Sequence, residues 1–225
     1  MPILIPPKAP NLLIAPAAYQ AQYHEQMNNA LRLYFSRIDS DLAALFGPLG
    51  MGYLDAPHIS ASDSTDQFAD GNDDPTIVKW NTAEAVNGFT LNVDNTAQVK
   101  VPGIYKIDYS LQFTNTDNTS AHDVYVWLQE NGTQIPNSSS RFTVPSAKSA
   151  TTPAYIVAYS SIVFVANPED KIGLWWATEK AYNPVGPVRG VYMEHIAAQT
   201  TPYVRPANPS AVGSITFLGR LPPTP

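Results

Sequence analysis

The chain contains no cysteine. Disulfides, thiolate metal sites and a cysteine nucleophile are therefore excluded, and the absence of disulfides points to synthesis in the cytoplasm. Charge is scarce as well. Asp, Glu, Lys and Arg make up 14% of the 225 residues, against roughly 25% in an average soluble domain. So weakly charged a surface fits a protein covered by copies of itself or by a larger assembly. The 13 basic residues are scattered among 19 acidic ones, and the formal net charge is −6. Nonspecific nucleic-acid binding needs clustered Lys and Arg and is not expected. The most apolar segment, residues 1–16, is interrupted by Pro2, Pro6, Pro7, Pro10 and Pro16 and has no basic start. It suits neither a signal peptide nor a membrane span, so no membrane insertion is expected.

Catalytic motifs are equally sparse. His24, His58, His122 and His195 are far apart, and none has a metal-ligand spacing such as H-x-x-x-H. There is no G-x-S-x-G elbow. His122-Asp123 precedes a strand and reads as a turn pair. Glu130, Glu169, Asp170, Glu179 and Glu194 offer carboxylates, but nothing selects two of them for glycoside hydrolysis. The acidic stretch Asp63 to Pro75 is rich in oxygen ligands, yet Gly71 follows Asp70 too early for an EF-hand loop, so it reads as a solvated loop. No catalytic residue, metal ligand or cofactor is assigned, and a non-enzymatic protein is expected.

What the chain does have falls into distinct parts. Residues 1–16 read as an extended Pro-rich arm, either a disordered tail or, through its apolar Ile3, Leu4, Ile5, Leu12, Leu13 and Ile14, an anchor lying in a partner's groove. Residues 17–46 lack Pro and Gly. In them Tyr23, Met27, Leu31, Tyr34, Ile38, Leu42 and Leu45 recur at steps of four and three, which predicts one long amphipathic helix. The stripe suits either packing on the domain's own core or association around a symmetry axis, and the lack of a second long helix favours association. Residues 47–75 read as a linker and the first edge of a β-domain spanning 76–221, and a Pro-rich tail occupies 222–225.

From Thr76 onward short strands are predicted at 76–80, 88–93, 97–101, 104–113, 123–130, 133–135, 154–165, 171–177, 188–194 and 213–219. The clearest is Pro102 to Phe113. There Tyr105, Ile107, Tyr109, Leu111 and Phe113 alternate with Lys106, Asp108, Ser110 and Gln112, the period of a half-buried strand. Its polar side is expected to face solvent, away from any subunit axis. Asn131-Gly132 signals a type I′ hairpin. Such spacing indicates an antiparallel sandwich or jelly roll. Several strands are apolar on both faces, as at Tyr125/Trp127, Val163/Val165 and Trp175, and such faces need cover. These five residues are candidates for a subunit contact. Trp176, Tyr182 and Tyr192 lie near loops or short strands; they suit core or interface packing first, and are otherwise candidates for contact with a receptor glycan or protein.

Gly103-Ile104-Tyr105 with Ile107 and Tyr109 resembles the G-x-Y-x-F-x-[FY] strand of C1q/TNF-like jelly rolls. Asn131-Gly132 sits at that family's hairpin. Ser160 to Trp176 is similar to its following hairpin, with Asp170 in the Asp place, and Phe217, Gly219 and Leu221 resemble its closing strand. Ile107 stands where Phe is usual, and Pro168-Glu169 where Gly is usual. Within this family the chain looks most like C1q-like domains in structural proteins of tailed bacteriophages of the cyanophage type, through Leu31 to Phe35 and Asp123 to Phe142. The resemblance implies a C1q/TNF-like jelly roll preceded by one helix. It also implies a homotrimer on the exterior of a phage particle, made in the host cytoplasm. The part could be a short tail-associated fibre docked on other virion proteins through its N-terminus and touching the host surface, or a capsid decoration of the same build. A secreted lectin-like or cytokine-like trimer is a further alternative.

Overall fold

A computed structural model describes residues 9–11, 21–46, 56–149, 151–185 and 189–221. The anchor candidates Ile3, Leu4, Ile5, Leu12, Leu13 and Ile14 lie outside the described residues, as do 47–55 and the 222–225 tail. The chain divides into two compact units, Met1–Asp55 and Ala56–Pro225.

In the first unit the predicted helix is present as α1, Ala21–Phe46. Along it Tyr23, Met27, Leu31, Tyr34 and Ile38 are half-buried, whereas Leu42, Leu33 and Phe35 are exposed. Leu45 lies in its last turn. Among the described residues no helix is long and apolar enough to cross a membrane.

The second unit is an antiparallel β-sandwich. Its strands in chain order are β1 (His58–Asp63), β2 (Thr76–Ile77), β3 (Thr82–Asn87), β4 (Phe89–Leu91), β5 (Ala97–Val99), β6 (Gly103–Asn115) and β7 (His122–Glu130). Then follow β8 (Thr133–Gln134), β9 (Ser140–Val144), β10 (Ala154–Ala166), β11 (Lys171–Thr178), β12 (Val191–Met193) and β13 (Ala211–Gly219). The front sheet runs β10-β6-β13-β1-β3, with β12 continuing β13's side of β6. The back sheet runs β4-β5-β11-β7-β8, with β2 beside β11 and β9 beside β7. Three strands lie outside the predicted set: β1, β3 and β9. β1 is not an edge, because β13 and β3 flank it.

The predicted alternation of β6 is the core. Tyr105, Ile107, Tyr109, Leu111 and Phe113 are each no more than 4% exposed. At one end Tyr105 contacts Phe89, Phe164 and Phe217 at ring distances of 5.3, 6.0 and 5.5 Å, and its hydroxyl donates to the Val101 carbonyl at 2.6 Å. At the other end Phe113 meets Trp176 of the back sheet at 5.3 Å. Fully burying each such side chain stabilises the fold by roughly 1.5–3 kcal/mol. The hairpin at Asn131-Gly132 has φ of 51° and 80°, the two positive values a type I′ turn requires.

Gly103 owes its place to close approach. A Cβ there would lie 2.3 Å from Phe217 Cε2 and 2.8 Å from the Gly219 carbonyl oxygen. Because one obstacle is backbone, β13 itself would have to shift. Gly103→Ala is expected to lower stability by about 1–3 kcal/mol, measured by urea denaturation. Full retention of stability would show that the β6–β13 register tolerates a methyl group here.

Candidate functional site

Period two in β10 places Tyr155, Val157, Tyr159, Ser161, Val163 and Val165 on the outer side of the front sheet. The five apolar members are between 51 and 64% exposed. β10 is the outermost strand of that sheet, and the neighbouring edge of the back sheet is β9, joined to it where Ser140 Oγ lies 3.4 Å from Ser160 Oγ. A thirteen-residue edge strand with an apolar outer row is unusual on an isolated surface. Next to it runs the polar row of β6. Lys106 and Asp108 form an ion pair at 2.8 Å, and the Tyr159 hydroxyl donates to Asp108 Oδ1 at 3.3 Å. Burial pushes the Asp108 carboxyl up, but hydrogen bonds from Lys106 and Ser161 outweigh it and hold the group below its ordinary value.

The five candidate contact residues do not share one surface. Val163 and Val165 belong to the exposed β10 row, whereas Tyr125, Trp127 and Trp175 face outward from the back sheet, with Trp127 and Trp175 directly paired across β7 and β11. Tyr125 is 38% exposed, but Trp127 is only 9% exposed and is already covered within the chain. It shares a groove of about 420 Å³ with the 134–139 turn, and that turn is held to β7 because Ile135 N donates to Leu128 O at 3.0 Å and Leu128 N to Ser138 Oγ at 3.1 Å. Tyr155, Val157 and Tyr159 were not singled out from the sequence. The signal was there, because the alternation that marks Val163 and Val165 continues back to Ala154.

The receptor candidates also divide. Trp176 is fully buried in the core, so it touches no receptor. The parity of β11 explains this: Ile172, Leu174, Trp176 and Thr178 all point inward. Tyr182 and Tyr192 do come together, and they recruit Phe68. Ring centroids are 5.0 Å apart for Tyr182–Tyr192, 5.5 Å for Phe68–Tyr192 and 5.8 Å for Phe68–Tyr182. Backbone pairing makes this trio. Gln67 and Met193 exchange two hydrogen bonds of 2.9 Å, which sets Phe68 beside Tyr192. Ala181 bridges Val191, and Tyr182 N donates to Val191 O at 3.1 Å. The Gln67 side chain, itself buried, accepts from Lys79 N at 2.7 Å and donates to Lys79 O and Ser210 Oγ. Burial pushes the Tyr192 hydroxyl well up, and the Glu194 and Asp66 carboxylates add to the effect.

These rings lie at one end of the sandwich. Strand registers place the C-terminal ends of β1, β6 and β11 there, together with the starts of β7, β10 and β13. The connections 64–75, 116–121, 145–153 and 179–190 leave from this end, and 194–210 leaves the flank of β6 at Gln112. The opposite end, where the unit begins at Ala56, carries short connections such as 131–132 and 167–170. Recognition residues concentrate on loops held by a rigid scaffold.

Among the described residues no three His, Asp or Glu side chains are grouped to hold a metal ion. The acidic residues are used in turns instead. Asp63, Asp94 and Asp117 each accept hydrogen bonds from the backbone N–H and the hydroxyl of the Thr two residues later. His122 turns from Asp123 to Asp117, with Nε2 3.0 Å from Oδ2. No protein-family model matches the chain, and no curated protein matches it.

Asp117 anchors the loop-rich end and gives a pH test. Hydrogen bonds from the Thr119 hydroxyl and backbone, and then from His122, lower its carboxyl to about 2. The folded value lies below the ordinary ~3.9 of an unfolded Asp. Its stabilisation is therefore complete above about pH 4 and lost as the pH falls through about 2. Asp117→Ala is expected to cost about 1–3 kcal/mol at neutral pH, with the gap to the parent closing as the pH approaches 2. Denaturation curves across that range check this, and a pH-independent gap would contradict it.

Proposed function

We propose that the protein is a non-enzymatic structural component that assembles as a homotrimer through the outer face of the front sheet. The observation that carries this is the exposed apolar row Tyr155, Val157, Tyr159, Val163 and Val165 on edge strand β10. Covering it stabilises an assembly and protects an edge that would otherwise pair without control. The polar row of β6 then borders the interface rather than facing away from the axis. The number three and the setting come from the resemblance: a C1q/TNF-like jelly roll in a tailed-phage virion, here a short tail-associated fibre docked through its N-terminal arm. The strand order supports that finer fold. β6, β10 and β13 lie in the front sheet, while β7, β9 and β11, which fall between them in the chain, lie in the back sheet. Such interleaving is what paired Greek keys produce. The concentration of loops at the end opposite Ala56 favours a fibre that presents that end outward.

Light scattering on the full chain is expected to give about three times the 24.5 kDa of one chain. Val157→Asp with Val163→Asp is expected to yield monomers of unchanged circular dichroism, because unpaired buried carboxylates cost several kcal/mol each. Leu31→Asp with Ile38→Asp tests the helix contribution in the same assay. A parent monomer would overturn the trimer, and an intact trimer in the β10 variant would move the interface elsewhere.

A further inference from the structure

We propose that the groove beside Phe68 and Tyr182 is a saccharide-binding site selective for neutral over acidic sugars. This deepens the proposal of a fibre that presents its loop-rich end outward and rests on it for its biological setting, but not for its chemistry. The groove has a volume of about 450 Å³, inside the ~300–1,000 Å³ span of ligand clefts. Phe68 and Tyr182 supply ring surface, and around them stand Asp70, Asn72 and Asn183. Saccharides present C–H faces that stack on aromatic rings and hydroxyls that pair with carboxylates and carboxamides, and this groove offers both kinds of group side by side.

The site is built rather than incidental. Its two walls come from loops distant in sequence and are joined by backbone-directed bonds. Asn72 Oδ1 accepts from Ala181 N at 2.9 Å, and Asp73 N donates to Thr178 O at 2.8 Å. Asp70 N donates to Thr76 Oγ1 at 2.9 Å, which fixes the backbone while its exposed carboxylate makes no hydrogen bond among the described residues. Tyr192 backs both rings from behind and holds their separation. Rings held in this way lose little freedom when a ligand stacks on them.

Charge selects the ligand. Asp70 is the one charged side chain among the described residues that line the groove, and no lysine or arginine lines it. A sialic or uronic acid would bring its carboxylate against Asp70 with no cation in the lining to offset it, whereas a neutral or N-acetylated sugar meets acceptors for its hydroxyls and amide.

The test is saturation-transfer NMR on the full chain with chitotriose, maltotriose, lactose and 3′-sialyllactose as probes. Transfer to at least one neutral probe is expected, with little to 3′-sialyllactose. Tyr182→Ala is expected to weaken binding about tenfold or more, the usual cost of truncating an anchor ring. Asp70→Ala, at an exposed position that leaves the core intact, is expected to weaken it severalfold at unchanged melting temperature. Failure of every neutral probe, preference for the sialylated one, or binding indifferent to both substitutions would overturn the site. Mass measured on the same samples separates the two proposals: a monomer that binds sugar sinks the trimer alone, and a trimer that binds none of the neutral probes sinks the groove alone.

Discussion

The inward row of β6 is the constraint on which the rest of the sandwich depends. Five large side chains enter the core from one strand, and both flanking strands take their register from it. Because side chains alternate strictly, a register that buries Tyr105 through Phe113 also fixes what the outer face shows. On β10 the same pairing turns Ala158 and Phe164 inward and leaves Tyr155, Val157, Tyr159, Val163 and Val165 outward. The apolar outer row therefore cannot be hidden by slipping the strand, since a one-residue shift would empty the core. Covering it falls to another surface, and a second copy of the chain is the partner we propose.

The two ends of the sandwich are built differently. Around Tyr105 the connections are short and the rings of Phe89, Phe164 and Phe217 close the core. The other end is held by polar stitching. Gln67 reaches Lys79, Met193 and Ser210, and Asp117 gathers Thr119 and His122. A buried polar side chain costs stability unless it is bonded, and the buried Gln67 amide is bonded through both its oxygen and its nitrogen. Together with the packed rings of Phe68, Tyr182 and Tyr192, these bonds hold the long loops of this end in fixed positions.

Much of this was legible in the sequence, and the failures have physical reasons. β6 and the Asn131-Gly132 hairpin were readable because each rests on local chemistry alone. β1 was missed because its outward Ser60 and Ser62 and inward Ala61 give little contrast in hydrophobicity. β3 is almost wholly exposed and so shows no alternation of burial. Trp176 was named as a candidate receptor contact although it lies in the predicted strand 171–177, where the parity of Ile172 and Leu174 already turned it inward. The ring trio was only half visible. Tyr182 and Tyr192 are near in sequence, but Phe68 joins them through the Gln67–Met193 bridge, a long-range pairing that no local pattern announces.

The absence of native cysteine makes the central claim directly measurable. A thiol introduced by Val163→Cys sits on the exposed β10 row and can be titrated with a maleimide reagent in the assembled protein and after dilution to single chains. If the outer face of the front sheet is the subunit interface, the thiol is protected in the assembly and reacts freely on dilution. Equal reactivity in both states would contradict it.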